Sequence, residues 1–243
     1  MSYADITFKD PNYIKRWLQY NRLSSAVRLS TNYLNNKDKL SICDFGAGNG
    51  ELCKLVTKKY INALITCYEP TPELYDEAKL NLLNYKIDLI NDINNLSNNT
   101  FDIIFCLEVF EHLPPIEINK VFNSFLSILK PNGVVIVGIP IEIGVPALYK
   151  GLFRIFRRYG SYDANIKNII NSVVGRPPKI RPLLDIAPGF PYYSAHMGFD
   201  YRNFINECEL NFTILRTSAS PFNLFGSLLM PELNIIMKPL NNY

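Results

Sequence analysis

A regular alternation of short apolar runs with helical segments constrains the fold of this chain more than any other feature. Apolar runs typical of β-strands cover 40–45, 63–68, 86–90, 101–107 and 134–139, and helical patterns cover 51–60, 72–83 and 114–129. Strands that are each followed by a helix pair in parallel through right-handed crossovers. The run Phe101–Leu107 is strongly apolar, which indicates a central strand. The pattern therefore predicts an α/β fold with a doubly wound, mostly parallel sheet.

The alternation breaks after Pro140 and resumes near residue 200. Residues 141–195 are irregular, Pro-rich and basic, and the pattern then predicts one helix over 200–208 and two strands over 211–219 and 233–238. A further helix is predicted over 11–34, and Pro131-Asn132-Gly133 is predicted as a turn. We therefore expect a helical cap over 1–38, a seven-stranded domain over 39–140 and 196–243, and a helical insertion after strand 5 over 141–195.

The formal net charge is only +3, so the chain as a whole lacks the basic character of a nucleic-acid-binding protein. The charge is concentrated, because 149–182 holds eight basic residues and one acid, a net charge of +7. Five cysteines without a C-x-x-C pair are typical of a reduced, cytoplasmic protein. Residues 1–10 lack a signal-peptide pattern, and no apolar run is long enough to span a bilayer.

Three glycines lie between the first predicted strand and its helix. Gly46, Gly48 and Gly50 follow Asp44, and a second acid, Glu69, ends the next strand. Glycine permits a positive φ and a close approach of ligand to backbone, and the carboxyl end of a parallel strand is where ligands bind. A dinucleotide prefers a third glycine where this chain has Glu51, and its pyrophosphate would be repelled by these acids. The acids suit the cationic methionine end of S-adenosylmethionine, so the sequence favours this methyl donor over NAD.

At these residues the chain resembles the class I, Rossmann-like S-adenosylmethionine-dependent methyltransferases, of the type that acts on small molecules. The resemblance covers about 39–139 and rests on five segments in the order of the family: Cys43–Gly50, Tyr68–Pro70, Asn91–Ile93, Phe101–Pro114 and Leu129–Ile136. The resemblance implies a ribose-binding role for Glu69, an adenine-binding role for Asp92 and Ile93, and contact with the methionine end for Leu107 and Glu108. The complete expected cofactor site is Asp44, Gly46, Ala47, Gly48, Glu69, Pro70, Asp92, Ile93, Leu107 and Glu108.

A cluster of acids and histidines follows the fourth strand. Glu108, Glu111 and His112 have the spacing E-x-x-E-H, and His196 precedes a later helix. The arrangement is similar to small-RNA 2′-O-methyltransferases and ubiquinone-pathway O-methyltransferases, a resemblance that implies a divalent metal held by all four residues. In metal-free relatives the same residues shape the rim of the site, or the histidine serves as a base. We therefore expect Glu111, His112 and His196 to be catalytic, with the metal as an open alternative.

The basic insertion is expected to form a lid over the acceptor. Within 145–159, Leu148, Leu152, Ile155 and Phe156 are predicted to share one helix face, and basic residues occupy much of the rest. The charge could meet an anionic acceptor, a membrane surface through 145–159, or an RNA backbone. A solvated lid whose arginines only aid solubility is the fourth interpretation.

The sequence predicts a methyltransferase that acts on a hydroxyl or amine of a small acceptor, with anionic and lipid-linked molecules both open. The alternatives are a metal-dependent RNA 2′-O-methyltransferase, disfavoured by the low net charge, a catalytically silent S-adenosylmethionine-binding partner protein, and, more distantly, an NAD oxidoreductase. The acceptor, the methylated atom and the oligomeric state are not determined by the sequence.

Overall fold

The structure, a computed structural model, describes residues 13–33, 39–96, 100–187 and 189–240. Its helices are α1 (Tyr13–Ser30), α2 (Glu51–Lys59), α3 (Pro72–Asn81), α4 (Ile93–Leu96), α5 (Pro115–Ile128), α6 (Val145–Arg158), α7 (Ile166–Val173) and α8 (Tyr201–Glu209). Its strands are β1 (Ser41–Phe45), β2 (Leu64–Tyr68), β3 (Asp88–Ile90), β4 (Phe101–Leu107), β5 (Leu129–Pro140), β6 (Leu183–Ala187), β7 (Phe190–Tyr193), β8 (Phe212–Ser220) and β9 (Glu232–Pro239). Parts of the predicted cap over 1–38, namely 1–12 and 34–38, lie outside the described residues.

The main sheet has seven strands in the order β3-β2-β1-β4-β5-β9-β8. The pairs β1–β2, β1–β4, β2–β3 and β4–β5 are parallel, and β9 pairs antiparallel with both β5 and β8. The predicted α/β class and the mostly parallel, seven-stranded sheet are therefore confirmed. The strand order reverses between β1 and β4, so the carboxyl ends of these two strands flank the crevice where ligands bind in such sheets.

Helices cover both faces of this sheet, which makes it doubly wound. Along β4, Ile104 and Cys106 pack into the core beneath α5 and α8, whereas Ile103 and Phe105 pack into the core beneath α1, α2 and α3. Side chains alternate between the two faces of a strand, and here both faces are apolar. This explains why β4 is buried throughout, as its sequence indicates.

The sequence predicted that a turn at Pro131-Asn132-Gly133 precedes the fifth strand. This prediction is wrong, because these residues lie within β5. The reason is an interruption in the pairing with β4. Phe101 pairs with Leu129 and Ile103 with Val134, so two steps along β4 correspond to five along β5. The turn-forming residues are accommodated as an irregularity inside the strand.

The insertion over 141–195 is more regular than the sequence suggests. It contains α6 and α7 packed against each other and a two-stranded antiparallel hairpin of β6 and β7. Gly151 of α6 lies against Ile169 of α7 so closely that a Cβ at Gly151 would come within 2.7 Å of that side chain. The hairpin is the part that the sequence interpretation missed.

Candidate functional site

The glycine bend after β1 adopts backbone conformations that favour glycine. Gly46, Gly48 and Gly50 have φ values of 74°, 55° and 80°. A Cβ on Gly46 would lie 2.6 Å from Cγ2 of Val109, which follows β4. The bend therefore brings bare backbone to the edge of the crevice between β1 and β4.

Two buried carboxyl groups flank this bend. Glu69 accepts hydrogen bonds from the backbone N–H of Gly48, at 2.7 Å, and from that of Thr71, at 2.8 Å, so its carboxylate is already oriented. Burial raises the pKa of Glu69, and its bonds to Thr71 and Gly48 oppose the rise. Burial also raises the pKa of Asp44 to about 7, although the Cys53 thiol donates to it at 3.3 Å.

A third acidic region includes a residue from the amino-terminal helix. Arg22 of α1 forms ion pairs with Glu108, at 2.8 Å, and with Glu232 of β9, at 3.0 Å. Glu108 has a φ of 58°, which is uncommon for a residue other than glycine and concentrates at functional sites. Burial raises the pKa of Glu108 well above its usual value, while Arg22 opposes the rise.

The structure brings Glu111, His112 and His196 together. The Nε2 atoms of the two histidines lie 3.1 Å apart, and Oε1 of Glu111 lies 3.8 Å from Nε2 of His112 and 3.9 Å from that of His196. His112 is held by the Tyr193 carbonyl at Nδ1, at 2.8 Å, and its ring stacks on Tyr192. Because a carbonyl only accepts, Nδ1 of His112 carries a proton, and in the neutral ring Nε2 is the basic atom.

Burial determines the protonation of this cluster. It raises the pKa of the Glu111 carboxyl to about 8 and lowers that of His112 to about 4. The pKa of His196 is also lowered, first by burial and then by His112. Both imidazoles are therefore neutral near pH 7, and Nε2 of His112 lies within hydrogen-bond distance of the Tyr192 hydroxyl, at 3.3 Å, as well as of His196.

These groups surround one cavity of about 840 Å³. Eight expected cofactor residues line it: Asp44, Gly46, Ala47, Gly48, Glu69, Pro70, Leu107 and Glu108. His112 and His196 line it too, whereas the fully buried Glu111 lies behind them. Gln19 and Arg22 of α1 and the hairpin of the insertion also line the cavity. The sequence predicted an insertion over the acceptor, but not which of its residues reach the cavity, because these segments lie far from the glycine bend along the chain.

Asp92 and Ile93 are the two expected cofactor residues that do not line this cavity. The carboxylate of Asp92 accepts from the backbone and side-chain N–H groups of Asn94, at 2.9 and 3.0 Å, at the start of α4. Ile93 packs partly against the core. Their contact with adenine stays a prediction.

One side of the cavity is apolar and aromatic. Ile186, Phe190, Pro191 and Tyr192 of the hairpin segment line it. Arg181 supports this wall, because its guanidinium lies 4.3 Å from the centre of the Tyr193 ring and donates to the carbonyls of Glu111 and Ala195. The hairpin thus adds an apolar wall beside the histidines.

The sequence did not predict which face of the basic helix α6 is buried. The apolar side chains Leu148, Leu152 and Phe156 are exposed, while Lys150 and Arg154 point inward to the fully buried Glu142. The buried carboxylate of Glu142 explains this orientation, because a carboxylate is costly to bury without a charged partner. With Glu142 included, the stretch 142–182 still has a net charge of +6.

Comparisons with known proteins agree with the fold. A family model described as a methyltransferase domain matches residues 14–144, more than half of the chain. The chain is 28% identical over 121 residues to a ubiquinone biosynthesis O-methyltransferase of Rickettsia canadensis, covering 48% of this chain and 49% of that protein. A second such protein, from Xanthomonas euvesicatoria, is 28% identical over 118 residues, covering 45% and 47%. The chain thus spans about half the length of the curated relatives it matches.

Solved structures show the same fold at low identity. An S-adenosylmethionine-dependent methyltransferase of Clostridium acetobutylicum matches with a TM-score of 0.59 and 14% identity, over 98% of this chain and 96% of that one. The plantazolicin methyltransferase BpumL, in complex with a triazolic desmethylPZN analogue and SAH, matches with a TM-score of 0.57 and 18% identity, over 98% and 95%.

A doubly wound seven-stranded sheet with a carboxylate-flanked glycine bend after its first strand defines the class I, Rossmann-like methyltransferase fold. The chain belongs to the methyltransferase-domain family whose model it matches, among the S-adenosylmethionine-dependent methyltransferases.

Proposed function

We propose that this protein transfers a methyl group from S-adenosylmethionine to a hydroxyl or amine of a small acceptor. One observation carries the proposal: two buried carboxyl groups, Asp44 and Glu69, flank a glycine bend inside a single cavity. A carboxylate accepts hydrogen bonds from a ribose diol, and carboxylates attract the ammonium and sulfonium of this donor. The backbone of Gly46, Ala47 and Gly48 lies against the cofactor, with Pro70 and Leu107 as apolar neighbours.

Arg22 is the proposed partner of the donor's methionine carboxylate. Its guanidinium lines the cavity beside Glu108, the residue expected at the methionine end. The zwitterionic methionine group can pair its ammonium with Glu108 and its carboxylate with Arg22. This assignment gives α1 a role in closing the cofactor site.

For the transfer itself, the protein supplies alignment and a base. An acceptor oxygen or nitrogen attacks the methyl carbon while the bond from carbon to sulfur breaks, and S-adenosylhomocysteine (SAH) leaves. Nε2 of His112 takes the acceptor proton, because Nδ1 is held by the Tyr193 carbonyl. The wall of Phe190, Pro191 and Tyr192 favours an acceptor with an aromatic or apolar body.

Methyl transfer to phenols, catechols and amines, measured as SAH formed, tests this function. We expect turnover with at least one acceptor class, and His112→Gln should lower kcat by about 100-fold or more without changing the Kd for SAH. Asn119→Ala, on the exposed surface of α5, is the matched control and should keep full activity. SAH binding without turnover across the panel would favour the silent partner protein.

A second candidate assigns a divalent cation to Glu111, His112 and His196. The side chains fit, because Oε1 of Glu111 is buried without a hydrogen-bond partner among the described residues, and one ligand atom from each lies within 4.8 Å of the others. Glu108, the fourth expected ligand, is paired with Arg22 instead. A bound cation would polarise an acceptor hydroxyl. In this case His112 is a ligand rather than the base.

Calorimetric titration with Mn²⁺, Mg²⁺ and Zn²⁺ distinguishes the two roles of His112. The metal candidate predicts one bound ion per chain, lost in Glu111→Gln and His196→Ala. Binding that is absent, or equal in wild type and both variants, would leave the base as the role of His112.

RNA methylation is the weaker enzyme alternative. Lys150, Arg154 and Arg181 are engaged by Glu142 or by backbone carbonyls, which leaves less charge to track a phosphate backbone. Contact with a membrane through 145–159 stays a prediction, because the geometry of the cavity does not bear on this segment.

A further inference from the structure

Both helices of the insertion carry exposed apolar side chains. Six exposed residues of α6 recur every three or four positions and so lie on one side of the helix: Val145, Leu148, Tyr149, Leu152, Phe153 and Phe156. Ile166, Ile170 and Val174, on and directly after α7, are also exposed and are spaced by four. These nine residues are called the outer face below. Phe156 is 89% exposed, and a large apolar side chain gains nothing from such contact with water.

Buried charges hold α6 in this orientation. Its other side carries Lys150 and Arg154, and Arg154 forms a two-pronged pair with Glu142, at 2.8 and 2.9 Å. Lys150 adds a bond to the same carboxylate at 3.1 Å. Turning the apolar side inward would expose these charges or separate them from their partners. The buried ion pairs therefore keep the apolar side of α6 exposed.

Basic side chains are also exposed on the insertion, although one of them, Arg158, pairs with the buried Asp163. Five are exposed between 145 and 187: Arg157, Arg158, Lys167, Arg176 and Lys179. The guanidinium of Arg157 lies 5.5 Å from the centre of the Phe153 ring, so charge and apolar surface are adjacent. The exposed acid in this range is Asp185. An apolar stripe with a basic border is typical of helices that lie in the interface of an anionic membrane.

We propose that the outer face docks this protein onto the surface of an anionic lipid bilayer, with α6 and α7 parallel to the membrane plane. The apolar side chains enter the boundary between headgroups and acyl chains, and the basic residues meet lipid phosphates. The contact is peripheral: among the described residues, no helix has the length and apolar character to cross a bilayer. This docking goes beyond the proposed transfer reaction and does not depend on it.

A second copy of the chain is the other occupant that an apolar face can have. In a two-fold dimer the same patch meets itself, so the five exposed cations would approach one another. An anionic bilayer complements these cations. The charge therefore favours lipid over a second copy.

Sedimentation with phosphatidylcholine vesicles, with and without phosphatidylglycerol, tests the docking. Wild type should partition at least tenfold more strongly to the anionic vesicles. Phe156→Asp combined with Leu152→Asp should abolish partition, and Arg157→Gln or Lys167→Gln should each weaken it about fivefold. Ile61→Asp is the matched control, since Ile61 is 86% exposed in the turn after α2, and it should bind like wild type.

The Kd for SAH, or thermal unfolding where SAH does not bind, verifies that each variant is folded. Equal partition to both kinds of vesicle would overturn the proposal, as would no partition at all. An equal loss in Ile61→Asp would also overturn it. A dimer by light scattering that Phe156→Asp converts to a monomer, without vesicle binding in wild type, would assign the outer face to a second copy.

Discussion

At Gly46 the backbone conformation and the neighbouring side chain both require glycine. Its φ is 74°, and a Cβ would overlap Val109, whereas Gly160 has a similar φ of 87° with open space around it. A substitution at Gly160 therefore introduces backbone strain alone, whereas one at Gly46 introduces strain and overlap with a neighbouring side chain.

Gly46→Ala should lower Tm by about 5 °C or more and weaken SAH binding about tenfold, because it adds overlap to backbone strain. Gly160→Ala should cost about 1 kcal/mol, a Tm decrease of about 2–4 °C, and leave SAH binding unchanged. Differential scanning fluorimetry and calorimetry measure both. Equal effects of the two substitutions on binding would show that Val109 does not constrain the bend.

Asp44 should make cofactor binding depend on pH. Burial holds its pKa at about 7, and Glu69 nearby adds to the rise. The ammonium group of SAH favours the ionised carboxylate, so the affinity for SAH should rise about tenfold from pH 6 to pH 7.5 and then level off. In Asp44→Asn the rise should be absent. The same slope in this variant would assign the titration to another group.

The raised pKa of Asp44 also makes the stability of the ligand-free protein depend on pH, but here stability falls as pH rises. The folded pKa lies above the unfolded value of about 3.8, so the folded protein holds this proton more tightly. Its contribution to stability is present below pH 3.8 and is lost as pH rises through 7. Ligand-free wild type should therefore lose Tm between pH 5 and pH 8 relative to Asp44→Asn.

Residues at the glycine bend could be predicted because their geometry is local. A strand, a glycine turn and an acid at the end of the next strand fix the positions of Gly46, Gly48 and Glu69 within one β-α-β unit. Arg22 and Glu232 could not be predicted. They are separated by 210 positions and meet only because α1 and β9 pack beside β4 and β5.

At the scale of elements, α6 shows that an amphipathic pattern does not determine which face of a helix is buried. The spacing of Leu148, Leu152 and Phe156 correctly places them on one face, but spacing alone does not state which face is buried. That depends on Glu142, a buried acid outside the helix. The hairpin was missed for a different reason, because Pro-rich sequence masked two short strands around the Pro188-Gly189 pair.

Glu142→Gln should lower the free energy of unfolding by about 3–5 kcal/mol, because it removes the buried carboxylate that Lys150 and Arg154 share, although Arg154 keeps its contact with Asp163 at 3.4 Å. Arg158→Gln is the control: this side chain is 58% exposed, and its pair with Asp163 should contribute at most about 1 kcal/mol. Urea unfolding compares them. A cost below about 1 kcal/mol for Glu142→Gln would mean that these buried charges do not hold α6 in place.

At the scale of the whole molecule, the sheet followed from the sequence because each strand and helix carries its own periodicity. The predicted strand limits differ from the observed ones by two residues or fewer, except in β5, where the turn was absorbed into the strand. The cavity is a property of the assembled fold, since its walls come from α1, the glycine bend and the hairpin of the insertion. The division of the chain into cap, domain and lid stays a proposal about function.

Calorimetric titration of the protein with SAH and, separately, with NAD is the measurement that tests the central claim most directly. We expect one SAH to bind per chain and no heat of binding from NAD. The affinity for SAH should be at least about tenfold weaker in Glu69→Gln and unchanged in Asp76→Asn, on the exposed surface of α3. Association with NAD, together with none with SAH or S-adenosylmethionine, would contradict the central claim.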